Sequence, residues 1–332
     1  MVRAKKIQTA AYFLRTLLAL ALGVGVLLIP GGPMVMAAYP EKEITIIVPW
    51  AAGGGTDLIA RFLADLMEKD LGKPVVVVNK PGGGGLVGFK QIAAAQPDGY
   101  TLGITTNSQI LQRYSASSYQ DWRDMAPIAL HNYDPTGFTV KADAPWKSIK
   151  EALDFAKANP GKMRVANSGP GAIWHVAAAL LGSKTGVQFT HVPYAGANPA
   201  SVAVAGGHVE ATSVSPAEVG TLVRGGKLRI LAIASEKRDP LFPDVPTYKE
   251  SGIDFVFGVW RCLVAPKNTP KEILSKLEAS VKKAVNDPKF KDFMTKNGFG
   301  QSYLGPAESA ALMAKDEKDF EKIVPGLGLK KN

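Results

Sequence analysis

The sequence predicts an α/β fold made of two doubly wound lobes, joined by a hinge that the chain crosses twice. Three observations carry this expectation. Short β-branched runs alternate with stretches of helical spacing along almost the whole chain. Several turns from strand to helix are glycine-rich, and ligands of open α/β sheets sit at such turns. Two turn-rich segments, near Asn132–Pro135 and near Gly252–Phe255, bracket a middle block, so that the C-terminal part returns to the first lobe. A length of 332 residues suits about two domains. The expected partition is 39–135 with 256–332 as one lobe and 136–255 as the other.

Residues 1–38 read as a secretory signal peptide. Arg3, Lys5, Lys6 and Arg15 precede or open an apolar run, Thr16–Ile29, and no acid interrupts them. Small residues close the segment, so cleavage is expected after Ala37 or Ala38. Fourteen apolar residues fall short of the roughly 20 that a spanning helix needs. No later segment is long and apolar enough, so the mature chain is expected to be soluble and periplasmic, or otherwise extracytoplasmic. Without the four basic residues of the leader, 35 remain against 29 acids, a net charge of +6 rather than +10.

The elements follow in order. Glu43–Pro49 is a buried strand, and Thr56–Leu71 is a helix stopped by Gly72. Val75–Val78, Leu86–Ala95 and Tyr100–Thr105 complete a β-α-β-α-β run, which predicts a parallel, right-handed sheet. In the middle block Ser148–Asn159 opens on a capping box, Ser148 with Glu151. Strands Met163–Asn167, Phe189–Val192, Val209–Ser213 and Leu228–Ala234 alternate with helices Ala172–Lys184, Pro199–Ala205 and Ala217–Arg224. Strand Phe257–Ala265 and three helices that each begin near a proline, Pro270–Val285, Pro288–Lys296 and Pro306–Ile323, end the chain.

The chemistry of the sequence lies in its loops. Pro49–Asp57 joins the first strand to the first helix through Gly53, Gly54 and Gly55, and aims unpaired helix N–H groups at whatever binds there. The same loop also reads as a tight turn with Thr56 or Asp57 as N-cap, and the two readings are compatible. Asn79–Gly85, with Gly82, Gly83, Gly84 and Gly85, is placed alike on the adjacent strand. Together they define a crevice suited to an anion. Asn167–Gly171 and Thr212–Pro216 are strand-to-helix loops of the middle block, open to two readings, ligand contact and helix capping.

Other functions lose support. One cysteine excludes an intramolecular disulfide or a cysteine metal site, and the four histidines, 131, 175, 191 and 208, form no metal-type pair. Gly83-x-Gly85-x-x-Gly88 matches a dinucleotide fingerprint literally, but Pro81 lies in its turn and no acid ends the next strand. No G-x-S-x-G elbow occurs, and Ser168 and Ser215 have no identifiable base, which leaves no catalytic set and argues against an exported hydrolase. No cofactor or metal is expected. Basic residues are scattered without interleaved aromatics, so no nucleic acid is expected as a partner. Cys262 is expected to be buried and inert, His175 structural, and Arg261 to meet a structural carboxylate in preference to a ligand.

Several stretches bring a family into view: Ile44–Arg61 (ITIIVPWAAGGGTDLIAR), Lys73–Gly85 (KPVVVVNKPGGGG) followed by Pro97–Leu102, His191–Tyr194, Gly226–Arg229, Asp244–Thr247 and Ala265–Lys267. In that order they resemble the Bug-type periplasmic solute-binding receptors of tripartite tricarboxylate transporters, over nearly all the mature chain. The resemblance implies a type II periplasmic-binding-protein fold. It also implies a ligand carboxylate held mainly by backbone amides and water from the two glycine loops. Carried over by position, the first-lobe contacts are Trp50, Ala52, Gly53, Gly54, Gly55, Thr56, Asp57, Gly82, Gly83 and Gly84. The second-lobe contacts are Ser168, Gly169, Gly171, Tyr194, Ser213 and Ser215. Many members have an aspartate where this chain has Val214 or Ser215, a position linked to amino-bearing ligands, so amino acids are disfavoured. Ala172-Ile173-Trp174 replaces polar residues, which favours an apolar or aromatic-friendly second half of the pocket. The resemblance therefore implies a monomeric, non-enzymatic receptor for a small organic acid, a mono- or dicarboxylate, aromatic acids included, with membrane permease subunits as partners. The alternative is a sensing partner of a membrane kinase.

Overall fold

The computed structural model describes residues 39–329, and the leader predicted over 1–38 lies outside them. Pro40 onward forms one compact unit built on two sheets. The first half alternates β1 (Ile44–Val48), α1 (Gly55–Leu71), β2 (Val75–Asn79), α2 (Leu86–Ala94), β3 (Thr101–Thr106) and α3 (Asn107–Ser115). Then come β4 (Met125–Pro135), β5 (Gly137–Lys141), α4 (Ile149–Ala158), β6 (Arg164–Asn167), α5 (Ile173–Thr185), β7 (Thr190–Pro193) and α6 (Ala197–Ala205). The chain continues through β8 (Ala211–Thr212), α7 (Pro216–Arg224), β9 (Leu228–Ile233), β10 (Gly258–Pro266), α8 (Lys271–Asn286), α9 (Pro288–Asn297), β11 (Gln301–Leu304) and α10 (Pro306–Ile323).

The first lobe carries a six-stranded sheet in the order β11-β4-β10-β3-β1-β2, and the second a five-stranded sheet, β7-β6-β8-β5-β9. The parallel run predicted for the first three strands is present, and later strands make the whole sheet a mixed one. β1 pairs in parallel with β2 and β3, but β10 runs antiparallel to β3 and β4. In the second sheet β6 is parallel to β7 and β8, whereas β5 is antiparallel to β8 and β9. β5 and β10 are the strands on which the chain enters each sheet after crossing between them, and β11 adds an antiparallel edge to β4. β10 is buried at all nine positions, which is why GVWRCLVAP shows no alternation.

The same crossing corrects the reading of Asn132–Pro135 as a turn. These residues are the end of β4, and Thr136 alone separates that strand from β5. Thr136 N–H donates to the Phe257 carbonyl (2.9 Å), the Ala234 N–H donates to the Thr136 carbonyl (2.8 Å), and Phe257 N–H donates to Ala234 (3.2 Å). The two crossings thus run side by side, tied backbone to backbone.

Local signals explain most boundaries. Gly72 caps α1 in the left-handed conformation, its N–H on the Glu68 carbonyl at 2.9 Å. Ser148 accepts the Glu151 N–H at 3.2 Å, while the Glu151 carboxylate accepts from Lys147 N–H (2.7 Å), one residue earlier than a reciprocal box. Pro288 and Pro306 open their helices, and Pro270 sits one residue earlier, at the N-cap of α8.

Candidate functional site

The carboxyl ends of β1 and β3 and the start of α1 face the starts of α5, α6 and α7 across a crevice. The space left free between its walls is about 20 Å³, little more than one water would fill. Its walls are Trp50, Ala51, Gly54, Gly55, Thr56, Asp57, Thr106, Val259 and Arg261 from the first lobe. Ser168, Ile173, Trp174, Ala197 and Glu218 face them from the second. A neighbouring space of about 260 Å³ lies under Gly82–Gly85 and is lined by Ser168, Gly169, Pro170, Pro193, Tyr194 and Ala195.

The Trp50–Asp57 loop is braced from within. Asp57 accepts from the Gly53 N–H (2.9 Å), Arg61 (2.9 Å) and Asn79 Nδ2 (2.8 Å), and Asn79 Nδ2 also reaches the Trp50 carbonyl (3.0 Å). Burial alone would push the Asp57 carboxyl up, but these donors outweigh it and hold it below the usual value. Asp57 therefore shapes the loop with its side chain and offers its backbone N–H to the crevice. With the N–H of Thr56 it belongs to the first helical turn, which has no intrahelical acceptors. The Trp50 ring packs edge-on against Phe89 at 5.7 Å, and its buried indole N–H has no partner.

Arg261 lies at the floor, 1% exposed, and its Nε donates to Thr56 Oγ1 (2.9 Å). Its Nη1 donates to Asn132 and to the Asp134 carboxylate, and Nη2 donates to Glu218 Oε1 at 3.2 Å. Glu218 comes from α7 of the opposite lobe, and its Oε1 also accepts the Gly55 N–H at 3.1 Å. Burial pushes the Glu218 carboxyl above its ordinary value, against the pull of Arg261.

The residues named from the sequence divide by position. Trp50, Gly54, Gly55, Thr56, Asp57 and Ser168 converge on the crevice, while Gly82, Gly83, Gly84, Gly169 and Tyr194 line the neighbouring space. Ala52 and Gly53 sit on the exposed rim, where Asn198 of α6 donates to the Ala52 carbonyl (3.2 Å). Gly169 and Gly171 turn their amides back onto their own lobe, to Asn167 Oδ1 and to His175 Nδ1 of α5, each at 3.0 Å. The Ser213 hydroxyl donates to the Trp174 carbonyl (2.6 Å), and Ser215 is the N-cap of α7, donating to Glu218 Oε2 at 3.2 Å. Neither serine lines the crevice.

Sequence reasoning missed Glu218, Thr106, Ala197 and Val259 as wall residues. Arg261 was traceable, since an arginine in an apolar strand demands a carboxylate, and Asp134 supplies it. Cys262 is buried and its thiol is pushed up to about 12 by desolvation, so it is inert. Among the described residues, no three histidine, cysteine, aspartate or glutamate side chains cluster for a metal, and no helix is long and apolar enough to cross a membrane.

The lobes touch closely around the crevice. Ala51 N–H donates to the Ala195 carbonyl (3.0 Å), and the Ile173 N–H donates to Ser108 Oγ (2.9 Å). A Cβ on Gly171 would stand 1.6 Å from Ser115 Oγ. The described conformation is a closed one.

A family model described as "Tripartite tricarboxylate transporter family receptor" matches residues 59–329. Three solved structures resemble the chain over nearly their whole lengths. The periplasmic binding protein BugD is 33% identical with a TM-score of 0.85, covering 89% of this chain and 100% of that one. MatC from Rhodopseudomonas palustris with bound malate is 29% identical with a TM-score of 0.81, covering 86% and 100%. A second Rhodopseudomonas palustris protein, with adipate, is 25% identical with a TM-score of 0.84, covering 89% and 100%.

Proposed function

This chain belongs to the tripartite tricarboxylate transporter receptor family, and we propose that within it the protein is an exported receptor that captures a small dicarboxylate between its lobes and presents the closed form to a membrane permease. Members are periplasmic solute-binding receptors rather than enzymes. The observation that carries the ligand class is the convergence of donors on one small crevice. The Thr56 and Asp57 amides at the start of α1, the unpartnered Trp50 indole N–H and the Ser168 hydroxyl all belong to its walls. A helix start favours an anion, and such donors satisfy a carboxylate without a free cation. Ile173, Trp174 and Val259 provide the apolar wall for the carbon chain between two acid groups. The two neighbours that carry malate and adipate support four to six carbons.

Residues 39–135 with 256–332 move as one lobe and 136–255 as the other, about the paired crossings at Thr136, Ala234 and Phe257. A ligand shifts the balance towards closure because it contacts both lobes. A thermal-shift screen of mono-, di- and tricarboxylates, aromatic acids, amino acids and sugars tests the reading. A ligand at about 100 times its dissociation constant stabilises by about 2.7 kcal/mol. Dicarboxylates are expected as the hits, and hits confined to sugars or amines would refute the carboxylate site.

A further inference from the structure

One oxygen of Glu218 is held at home and the other reaches across the crevice. Oε2 accepts from the Ser215 N–H and hydroxyl, both at 3.2 Å, and this fixes the carboxylate on α7. Oε1 accepts from the Gly55 N–H at 3.1 Å and from Arg261 Nη2 at 3.2 Å, both on the other lobe. Four donors use the four lone-pair positions of a carboxylate, so a ligand finds no acceptor there. The first amide of α1, where an anion is most favoured, is thus filled by an anion of the protein itself.

We propose that Glu218 is the positioning residue that closes this receptor: its carboxylate, seated between Gly55 and Arg261, draws the lobes together and directs a ligand carboxylate to the next two amides, those of Thr56 and Asp57. When the lobes part, Arg261 keeps Thr56, Asn132 and Asp134, all on its own lobe, and Glu218 keeps Ser215. Of the bonds these two side chains make, only the crossing pair breaks, which makes Glu218 a two-position latch. The fit explains why residue 55 is glycine. A Cβ there would lie 2.7 Å from Arg261 Nη2 and 3.0 Å from Glu218 Oε1. Part of the closing force is therefore built into the chain, and the ligand-free receptor populates the closed form.

The inference rests on the receptor reading for its ligand arm alone, and the decisive measurement needs no ligand. Lys157 on α4 and Lys282 on α8 are exposed, and Cys262 is fully buried. Spin labels on Lys157→Cys and Lys282→Cys report the distance between lobes. Without ligand, the labelled protein should show a closed population beside the open one. Glu218→Ala should lower the closed-to-open ratio at least about tenfold, the worth of one of the two charge-assisted hydrogen bonds it removes across the crevice. Glu218→Gln, which keeps an oxygen for Gly55 but no charge for Arg261, should fall between. A folded Glu218→Ala protein with an unchanged distribution, or a parent with no closed population, overturns the proposal. If Glu218→Ala does not fold, an unchanged distribution in Glu218→Gln overturns it. In the second arm, malate and adipate are titrated. Those that bind the parent should bind Glu218→Ala about tenfold more weakly, and binding of neither would count against the receptor reading while the distances still decide the latch.

Discussion

Gly84 and Gly169 meet across the crevice with their backbones in contact. A Cβ on Gly169 would stand 2.8 Å from the Gly84 Cα, and one on Gly84 would stand 2.3 Å from the Pro170 carbonyl oxygen. Both residues hold positive φ, +115° and +64°. The glycines of these loops therefore serve the closing of one lobe on the other, and not only the approach of an anion to the backbone.

That relationship predicts different outcomes for two glycine loops. Gly84→Ala should keep the fold, lose about 1–2 kcal/mol for a left-handed alanine, and bind ligand at least about tenfold more weakly because closure is obstructed. Gly54→Ala should bind much as the parent does, since Gly54 has extended backbone and a Cβ there meets nothing nearer than 3.8 Å. Calorimetric titration of both variants, with melting temperatures as the fold control, checks the pair.

Trp50→Phe isolates one donor. The ring still packs on Phe89, but the indole N–H is gone. Stability should change by less than about 1 kcal/mol while ligand affinity falls about tenfold to a hundredfold, the range for one hydrogen bond to a charged group. Equal affinity would remove Trp50 from the binding set.

Arg261 and Asp134 are both 1% exposed, and the pair sits where β4 and β10 leave the first sheet. Arg261→Met should destabilise by about 3–5 kcal/mol, because Asp134 is left as a buried charge without its partner. Adding Asp134→Leu should recover part of that loss. Urea unfolding of the single and double variants tests this, and a double variant no more stable than Arg261→Met would contradict it.

Two histidines give the acid sensitivity a sign. Burial lowers His131 and His175 to about 4. The unfolded imidazoles take up protons near pH 6.5, so between pH 6.5 and 4 the unfolded chain holds more protons than the folded one. Stability should fall as pH falls through that window, by about 3 kcal/mol for each histidine, and this contribution should level off below pH 4. Glu218, shifted upward, opposes part of the loss. His131→Leu should flatten the pH dependence of the urea midpoint between pH 6.5 and 4. An unchanged slope would show that His131 is not the source.

Much of the fold was legible because periodicity and punctuation agreed. The β-branched runs became β1, β2, β6 and β9, and Gly72, Ser148 and the prolines marked helix ends. What stayed hidden has physical reasons. β4 contains Pro127 and Pro135, which argue against a strand, yet Pro127 falls beside a register shift in its pairing with β10 and Pro135 ends the strand. α3 begins Asn-Ser-Gln and declares itself only through Thr106, which accepts the Ser108 N–H at 3.1 Å. β11, QSYL, is a short polar edge strand.

The site divides in the same way. The glycine loops could be placed at the crevice from their position between strand and helix. The destination of each amide could not, because Gly169 turns its amide to Asn167 of its own loop and Gly171 turns its amide to His175 of α5. Glu218 reaches Gly55 across 163 residues of sequence, and nothing near Glu218 announces that contact. Its own local pattern, Ser-Pro-Ala-Glu, reads fully as a capping box and is one, with the second oxygen left to act at a distance.

The central claim is that donors from both lobes enclose two carboxylate groups on a short carbon chain. Calorimetric titration of the refolded protein with malate, succinate, glutarate and adipate, each beside its uncharged diamide, tests it most directly. Saturable binding of at least one diacid is expected, with loss of about a hundredfold or more in affinity for the matching diamide. Equal affinity for diacid and diamide, or no binding by any diacid, would contradict it.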